Sequence, residues 1–201
     1  MSSRPRVGSA TTALMRERKS DGHWCFELEA DATIPSEYVL FRHFRGEPAT
    51  ASSNAKSPDY LRRIQGAHGG WPLFHDGDFD MSASVKAYFA LKMIGDPVDA
   101  PHMVRAREAI RPRGGAVARN VFTRCMLAHV RVLPWRAVPV HAGRDHAAAD
   151  AGSPFHLDKI SYWARTVIVP LMVLAALKPR ASECAAACGI DELFAAAASE
   201  R

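Results

Sequence analysis

The chain has little of what builds disulfide-stapled or metal-binding domains. Its four cysteines are too few and too unevenly spaced for a disulfide framework, which predicts reduced thiols and a cytosolic setting. Its nine histidines are dispersed, and no histidine or cysteine pair has the spacing of a zinc site. No glycine-flanked serine elbow and no phosphate-binding loop occurs either. These absences exclude the commonest sequence-encoded metal, hydrolase and nucleotide sites.

The chain also lacks dense charge tracts and long apolar runs. Its 26 basic residues outnumber 21 acidic ones but are scattered, so they predict a mild preference for anionic surfaces and no nucleic-acid binding. The most apolar run, Thr166–Leu177, contains Pro170 and is too short to span a membrane. We expect a buried, kinked helix there, while contact with a membrane surface stays open. The N-terminal residues lack the apolar core of a signal peptide.

What the chain does contain is a repeated glycine-tryptophan turn. The stretch Gln65–Trp71 has a shorter echo in Asp21–Trp24, 47 residues upstream, and an aspartate follows each tryptophan by seven residues. A helix-like run comes after each copy. The unit reads as helix, turn, helix, with glycine permitting positive φ and the indole acting as an apolar anchor.

Helical signals dominate the remainder of the chain. Val85, Phe89 and Met93 recur every four residues, and Gly95-Asp96-Pro97 supplies a stop. Asn120 is a plausible N-cap for a further helix, and Leu157–Leu177 predicts a longer, more buried one. No alternating apolar and polar segment is long enough to indicate a sheet. The predicted class is all-α, built from paired helices.

Two other groups of residues have the composition of a chemical site. The carboxylates of Asp76, Asp78 and Asp80 alternate as in a calcium loop, but Met81 stands where glycine is needed, so an acidic turn capping a helix is favoured. Trp135 and the Tyr162-Trp163 pair can line a pocket that stabilises a cation. Packing in a core explains these aromatic residues equally well, and the sequence alone favours it.

Taken together, the chain resembles the N-terminal third of a bacterial squalene–hopene cyclase. Gln65-x-x-x-Gly69-x-Trp71 matches the Gln-Trp repeat motif of triterpene cyclases, and Arg18-x-x-x-Gly22-x-Trp24 is similar to a second copy in which arginine replaces glutamine. Further similarity covers most of residues 14–181, in the stretches Tyr60–Gly95, Asn120–Arg124, Pro134–Pro139 and Pro154–Ala181.

The resemblance implies a partial α/α toroid, peripheral association with the inner membrane, and proton-initiated cyclisation of squalene without metal or organic cofactor. In the family the proton comes from an Asp-x-Asp-Asp motif, which this sequence does not contain. No catalytic residue is therefore assigned. Trp163 matches a tryptophan of the family's substrate cavity, whereas Gly22, Trp24, Gln65, Gly69 and Trp71 would be structural.

The sequence departs from the family pattern in two places, residues 141–153 and the tail after Ala181. Codons can be chosen for His141–Ala149 that, read one base later, give Met-Pro-Val-Glu-Ile-Met-Leu-Leu-Pro, which resembles the family. We expect residues 141–153 to be translated out of frame and to form a disordered loop. Residues 1–13 are also expected to be disordered, and residues 182–201 to be a divergent tail.

Three interpretations of function remain open at this point. The first is an N-terminal cyclase segment that is inactive alone because the acid is missing. The second is a non-catalytic helical-hairpin module that binds a protein partner or a membrane surface. The third is one half of a split cyclase, whose other half carries the acid motif.

Overall fold

The computed structural model describes residues 4–26, 29–47, 56–117, 120–139, 156–181 and 189–194. These residues are helical and form no strand, and they contain one isolated antiparallel bridge, between Trp71 and Asp80. The all-α prediction is confirmed. The α-helices in the described ranges are α1 Arg4–Arg16, α2 Thr33–Phe44, α3 Lys56–Arg63, α4 Met81–Ile94, α5 Pro101–Ile110, α6 Val121–His129 and α7 Tyr162–Leu177.

The chain divides into two compact units, Met1–Ala30 and Asp31–Arg201. In the first unit, helix α1 occupies most of the range 1–13 that we expected to lack structure, so this expectation is corrected. Every residue from Arg6 to Arg16 is exposed, and the helix therefore carries no buried stripe that periodicity would detect.

The second unit is organised around α4, which packs against α2, α3 and α5. Every residue from Ser82 to Leu91 is buried, as expected for a helix surrounded by other elements. Asp80 caps its start by accepting a hydrogen bond from the Ala83 amide at 2.7 Å, which confirms the predicted cap. Gly95 ends it at φ 114°, where the sequence predicted a stop.

Helix α5 buries one of its sides, and α6 begins at its predicted cap. Met103, Ala106 and Ile110 are buried on one side of α5. Asn120 accepts a hydrogen bond from the Thr123 amide at 2.9 Å and is the N-cap of α6, as predicted. Helix α6 ends at His129, and two residues later the backbone of Arg131 has a φ of 63°.

Helix α7 was predicted to be buried, and the structure corrects this prediction. It contains Pro170 in its interior, but none of its residues is fully buried. Among the described residues, only Leu171 and Leu174 of this helix pack against a small cluster that surrounds Trp135. None of the helices in the described ranges has the length and apolarity needed to cross a membrane.

Candidate functional site: two glycine-tryptophan turns

Gln65 joins the second turn to helix α5. Its side-chain amide nitrogen donates to the carbonyl oxygen of Gly69 at 2.7 Å and to that of His102 at 2.9 Å. Its side-chain oxygen accepts a hydrogen bond from the guanidinium of Arg105 at 2.8 Å. One side chain thus closes the turn on itself and holds the turn against the next helix.

Trp71 joins the same turn to helices α3 and α4. The indole is fully buried, and its Nε1 donates to the carbonyl oxygen of Leu61, in α3, at 2.8 Å. Its backbone amide donates to the hydroxyl of Ser84, in α4, at 2.9 Å. Its carbonyl oxygen accepts from the amide of Asp80 at 3.1 Å. The residue combines apolar burial with bonds to both flanking helices, so its position is fixed in every direction.

Gly69 is required by its backbone conformation and by its surroundings. Its φ is 86°, in the left-handed region, and a Cβ placed there would lie 2.7 Å from the carbonyl oxygen of Arg105 and 3.1 Å from the Cβ of Ala109. Any larger residue would push α5 away from the turn.

The turn at Gly22 repeats this geometry within the first unit. Gly22 has a φ of 96°, and Arg18 donates through Nε to its carbonyl oxygen at 3.0 Å, as Gln65 does to that of Gly69. Trp24 donates through Nε1 to the carbonyl oxygen of Leu14 at 2.7 Å, again ten residues earlier in the chain. The echo seen in the sequence is therefore a repeat of the same hydrogen bonds.

The two copies differ in burial. Trp24 is 43% exposed, whereas Trp71 is fully buried. Trp24 therefore contributes less apolar burial to its turn than Trp71 does. Its ring instead stacks with the guanidinium of Arg18, whose carbon lies 5.6 Å from the ring centroid. A cation stacked on an indole is compatible with solvent, while glutamine offers no such contact.

An ion-pair network lies beside the second turn. Asp96 accepts hydrogen bonds from Arg62 at 3.0 and 2.5 Å, and one of its oxygens lies 2.6 Å from Nε2 of His102. Burial raises the pKa of Asp96, but the hydrogen bonds from Arg62 and His102 outweigh it, so the pKa lies below its ordinary value. This carboxylate is charged at neutral pH and cannot donate a proton there.

The acidic loop that follows Trp71 contributes a cap and two exposed carboxylates. Asp80 caps α4, while Asp76 and Asp78 are exposed. Within the described ranges no cluster of three or more histidine, cysteine or carboxylate side chains is arranged to hold a metal. The favoured interpretation, an acidic turn with a helix cap, is confirmed by the bond to Asp80.

The aromatic residues proposed for a pocket lie in different environments. Trp135 is buried and packs with Cys125, Ala128 and Val138, as the core interpretation predicted. Trp163, in α7, is 79% exposed. Its assignment to a substrate cavity therefore stays a prediction.

Sequence reasoning missed the long-range partners of the turn. Periodicity and motif spacing show where a helix begins, but they cannot show that Gln65 reaches His102 and Arg105, 37 and 40 residues later. It also missed the buried Lys86, whose Nζ lies 2.5 Å from an oxygen of Glu37 in α2. A lysine between Val85 and Ala87, in a predominantly apolar stretch, was the available signal for this pair.

The structure thus defines a class: an all-α protein of helical hairpins in which Gln-Trp turns fasten consecutive helices. The family model of the squalene–hopene cyclase N-terminal domain matches residues 7–201. The chain belongs to this family. The match extends through residues 182–201, the tail that we expected to be divergent, and through residues 141–153. Residues 141–153 lie outside the described ranges, as do Cys184 and Cys188.

Curated relatives support the same assignment. The chain is 64% identical over 188 residues to a squalene–hopene cyclase of Bradyrhizobium diazoefficiens, a match that covers 94% of this chain and 28% of the relative. It is 55% identical to that of Zymomonas mobilis, over 94% of this chain and 29% of the relative. It is 31% identical to that of Alicyclobacillus acidocaldarius, over 85% of this chain and 27% of the relative. The chain spans less than a third of each of these proteins.

Proposed function

We propose that this chain forms the N-terminal helical scaffold of a squalene–hopene cyclase and supplies no proton donor to the reaction. The observation that carries the proposal is the Gln65–Trp71 turn, in which the side chains of Gln65 and Trp71 hold helices together. Gln65 and Trp71 use their polar atoms on backbone groups and on Arg105, which leaves none of those groups for a substrate. A residue bound in this way gives rigidity to a site built elsewhere.

The carboxylates of the described residues support the second half of the proposal. A general acid that protonates an alkene must keep its own proton until the substrate is bound, which requires a raised pKa. Burial raises the pKa values of Asp96 and Glu192, but hydrogen bonds outweigh it and lower both. The bonds come from Arg62 and His102 for Asp96, and mainly from Lys92, a backbone amide and Tyr88 for Glu192. With no Asp-x-Asp-Asp motif in the sequence, the chain needs another polypeptide segment to supply the acid.

We further propose that Trp163 lines the cavity that binds squalene, the substrate named for the relatives. It lies in the first turn of an apolar helix, α7, which leaves the indole 79% exposed and free to contact a ligand or another segment. An indole face stabilises a nearby cation by about 2 kcal/mol or more when water is excluded. Its role would be shape and cation stabilisation, without proton transfer.

Peripheral binding to a membrane is part of the same proposal. Helix α7 exposes Val167, Val169, Val173 and Leu177, and it is followed by Lys178 and Arg180. Apolar side chains beside basic ones favour an anionic lipid surface.

Reconstitution tests the proposed function. The purified chain is mixed with the segment of the Bradyrhizobium relative that lies outside the match, and squalene products are measured by gas chromatography and mass spectrometry. We expect a cyclised product only from the mixture, and a rate lowered at least tenfold when the chain carries Trp163→Ala. The matched control is Tyr162→Ala, which removes the neighbouring exposed ring. Equal rates for the two variants would refute the cavity role of Trp163.

A non-catalytic module is the second candidate, and the exposed apolar surface of α7 favours it. Such a module would bind a protein or lipid vesicles and would give no product in the reconstituted mixture. Vesicle sedimentation without reconstituted activity would favour this candidate over the cyclase scaffold.

A further inference from the structure

The segment Gly189–Phe194, which we call the docked segment, is held against α4 and α5 by buried apolar side chains and by hydrogen bonds. Ile190 and Leu193 are fully buried and Phe194 is nearly so, and all three belong to the main core cluster. The short turn Asp191–Leu193 contacts α5. No residue of α7 belongs to that cluster.

A lysine and a tyrosine of α4 bind the carboxylate of Glu192, which with Asp191 lies between the apolar residues Ile190 and Leu193. Lys92 donates to Oε1 of Glu192 at 2.6 Å and to the carbonyl oxygen of Gly189 at 2.5 Å. Tyr88 donates its hydroxyl to the same Oε1 at 2.8 Å. These groups recognise both a side chain and the backbone of the segment, in the way that a peptide-binding site does.

The electrostatics of this face select an acidic ligand. The pKa of Glu192 lies below its ordinary value because hydrogen bonds from Lys92 and Tyr88 outweigh the effect of burial. Burial raises the pKa of Tyr88, so this hydroxyl keeps its proton and acts as a donor. The positive charge of Arg107 on α5 acts on the same pKa in the opposite direction, which shows that it lies near Tyr88. A basic side chain in place of Glu192 would face Lys92 and Arg107 at close range.

We propose that α4 and α5 form a binding site for a short peptide that has an acidic residue among apolar ones, and that Gly189–Phe194 is its resident, reversibly docked ligand. The described segment contains one short turn, Asp191–Leu193, and no α-helix. Its removal would uncover part of the core formed by α4 and α5 without breaking a helix. The site lies apart from the hydrogen bonds of Gln65 and Trp71, and the proposal does not depend on cyclase activity.

A peptide added in trans tests the site on the full-length chain. Leu193→Ser weakens the resident segment, and a fluorescent peptide, Gly-Ile-Asp-Glu-Leu-Phe, is titrated against this variant by anisotropy. We expect saturable binding, weakened roughly tenfold to a hundredfold when the peptide glutamate is replaced by glutamine. A scrambled peptide of the same composition is the control. With Lys92→Glu added to the chain, the parent peptide should fail to bind and a peptide with lysine at the glutamate position should bind again.

Hydrogen exchange on the unmodified chain provides a second, independent readout. Reversible docking predicts that the amides of Leu193 and Phe194, which close the short turn at 2.9 and 3.1 Å, exchange at least tenfold faster than those of Ala87–Leu91 in α4. Equal protection of the two regions would show that the segment opens only with global unfolding and would overturn the proposal. Peptide binding that ignores the charge of the fourth residue would overturn it as well.

Discussion

Replacing Trp71 or Trp24 by phenylalanine tests whether the two turns contribute equally to the free energy of unfolding. Trp71→Phe removes the Nε1 donor to Leu61 and part of a fully buried ring. Loss of the hydrogen bond costs about 1 kcal/mol, and the vacated volume adds about 1 to 2 kcal/mol. Trp24→Phe removes an equivalent donor to Leu14, but from a ring that is 43% exposed, so we expect a loss below about 1 kcal/mol.

Urea denaturation followed by circular dichroism at 222 nm measures both variants against the unmodified chain. The reasoning predicts a loss of about 2 to 3 kcal/mol for Trp71→Phe, seen as a lower midpoint with an unchanged slope. The matched variant Trp24→Phe controls for removing an indole that makes the same kind of bond. If both variants lose the same free energy, burial does not distinguish the turns and the reasoning fails.

Three further predictions concern other parts of the chain. Gly69→Ala should destabilise the protein by at least about 2 kcal/mol more than Gly22→Ala, because both have positive φ but only the first meets the backbone of Arg105; equal losses in urea melts would contradict this. Folding lowers the pKa of Asp96, so its contribution to stability is present above about pH 4 and is lost as the pH falls through the folded value. Asp96→Asn should therefore cost about 1 to 2 kcal/mol at pH 7, and the cost should shrink as the pH falls below about 4. A cost that does not change with pH would argue against the ion pair. Genomic sequencing should show an insertion and a compensating deletion around the codons for residues 141–153, relative to the genes of close relatives. A gene with neither of them in this region would refute the frame-shift hypothesis.

The local parts of the fold were predictable because their signals lie within a few residues. Asp80 and Asn120 cap helices that begin directly after them, and Gly95 ends one. Residues 21–24 and 65–71 share a glycine two residues before a tryptophan, and this spacing indicates the two turns. Each of these inferences uses backbone preferences that act before any tertiary contact forms.

Burial was less predictable, because it depends on which elements are present to cover a helix. Helix α7 is apolar, yet none of its residues is fully buried, and Trp24 matches Trp71 in sequence but not in exposure. Periodicity gives the apolar face of a helix, while the partner of that face is set by distant residues. The contacts of Gln65 with α5 and of Glu192 with α4 belong to the same category.

The central claim is that this chain is a scaffold without a proton donor, and its activity alone tests that claim most directly. Purified chain is incubated with detergent-dispersed squalene across pH 4 to 8, and pentacyclic products are measured by gas chromatography and mass spectrometry. The account predicts no product above a protein-free control at any pH. A pentacyclic product formed by the chain alone would contradict it.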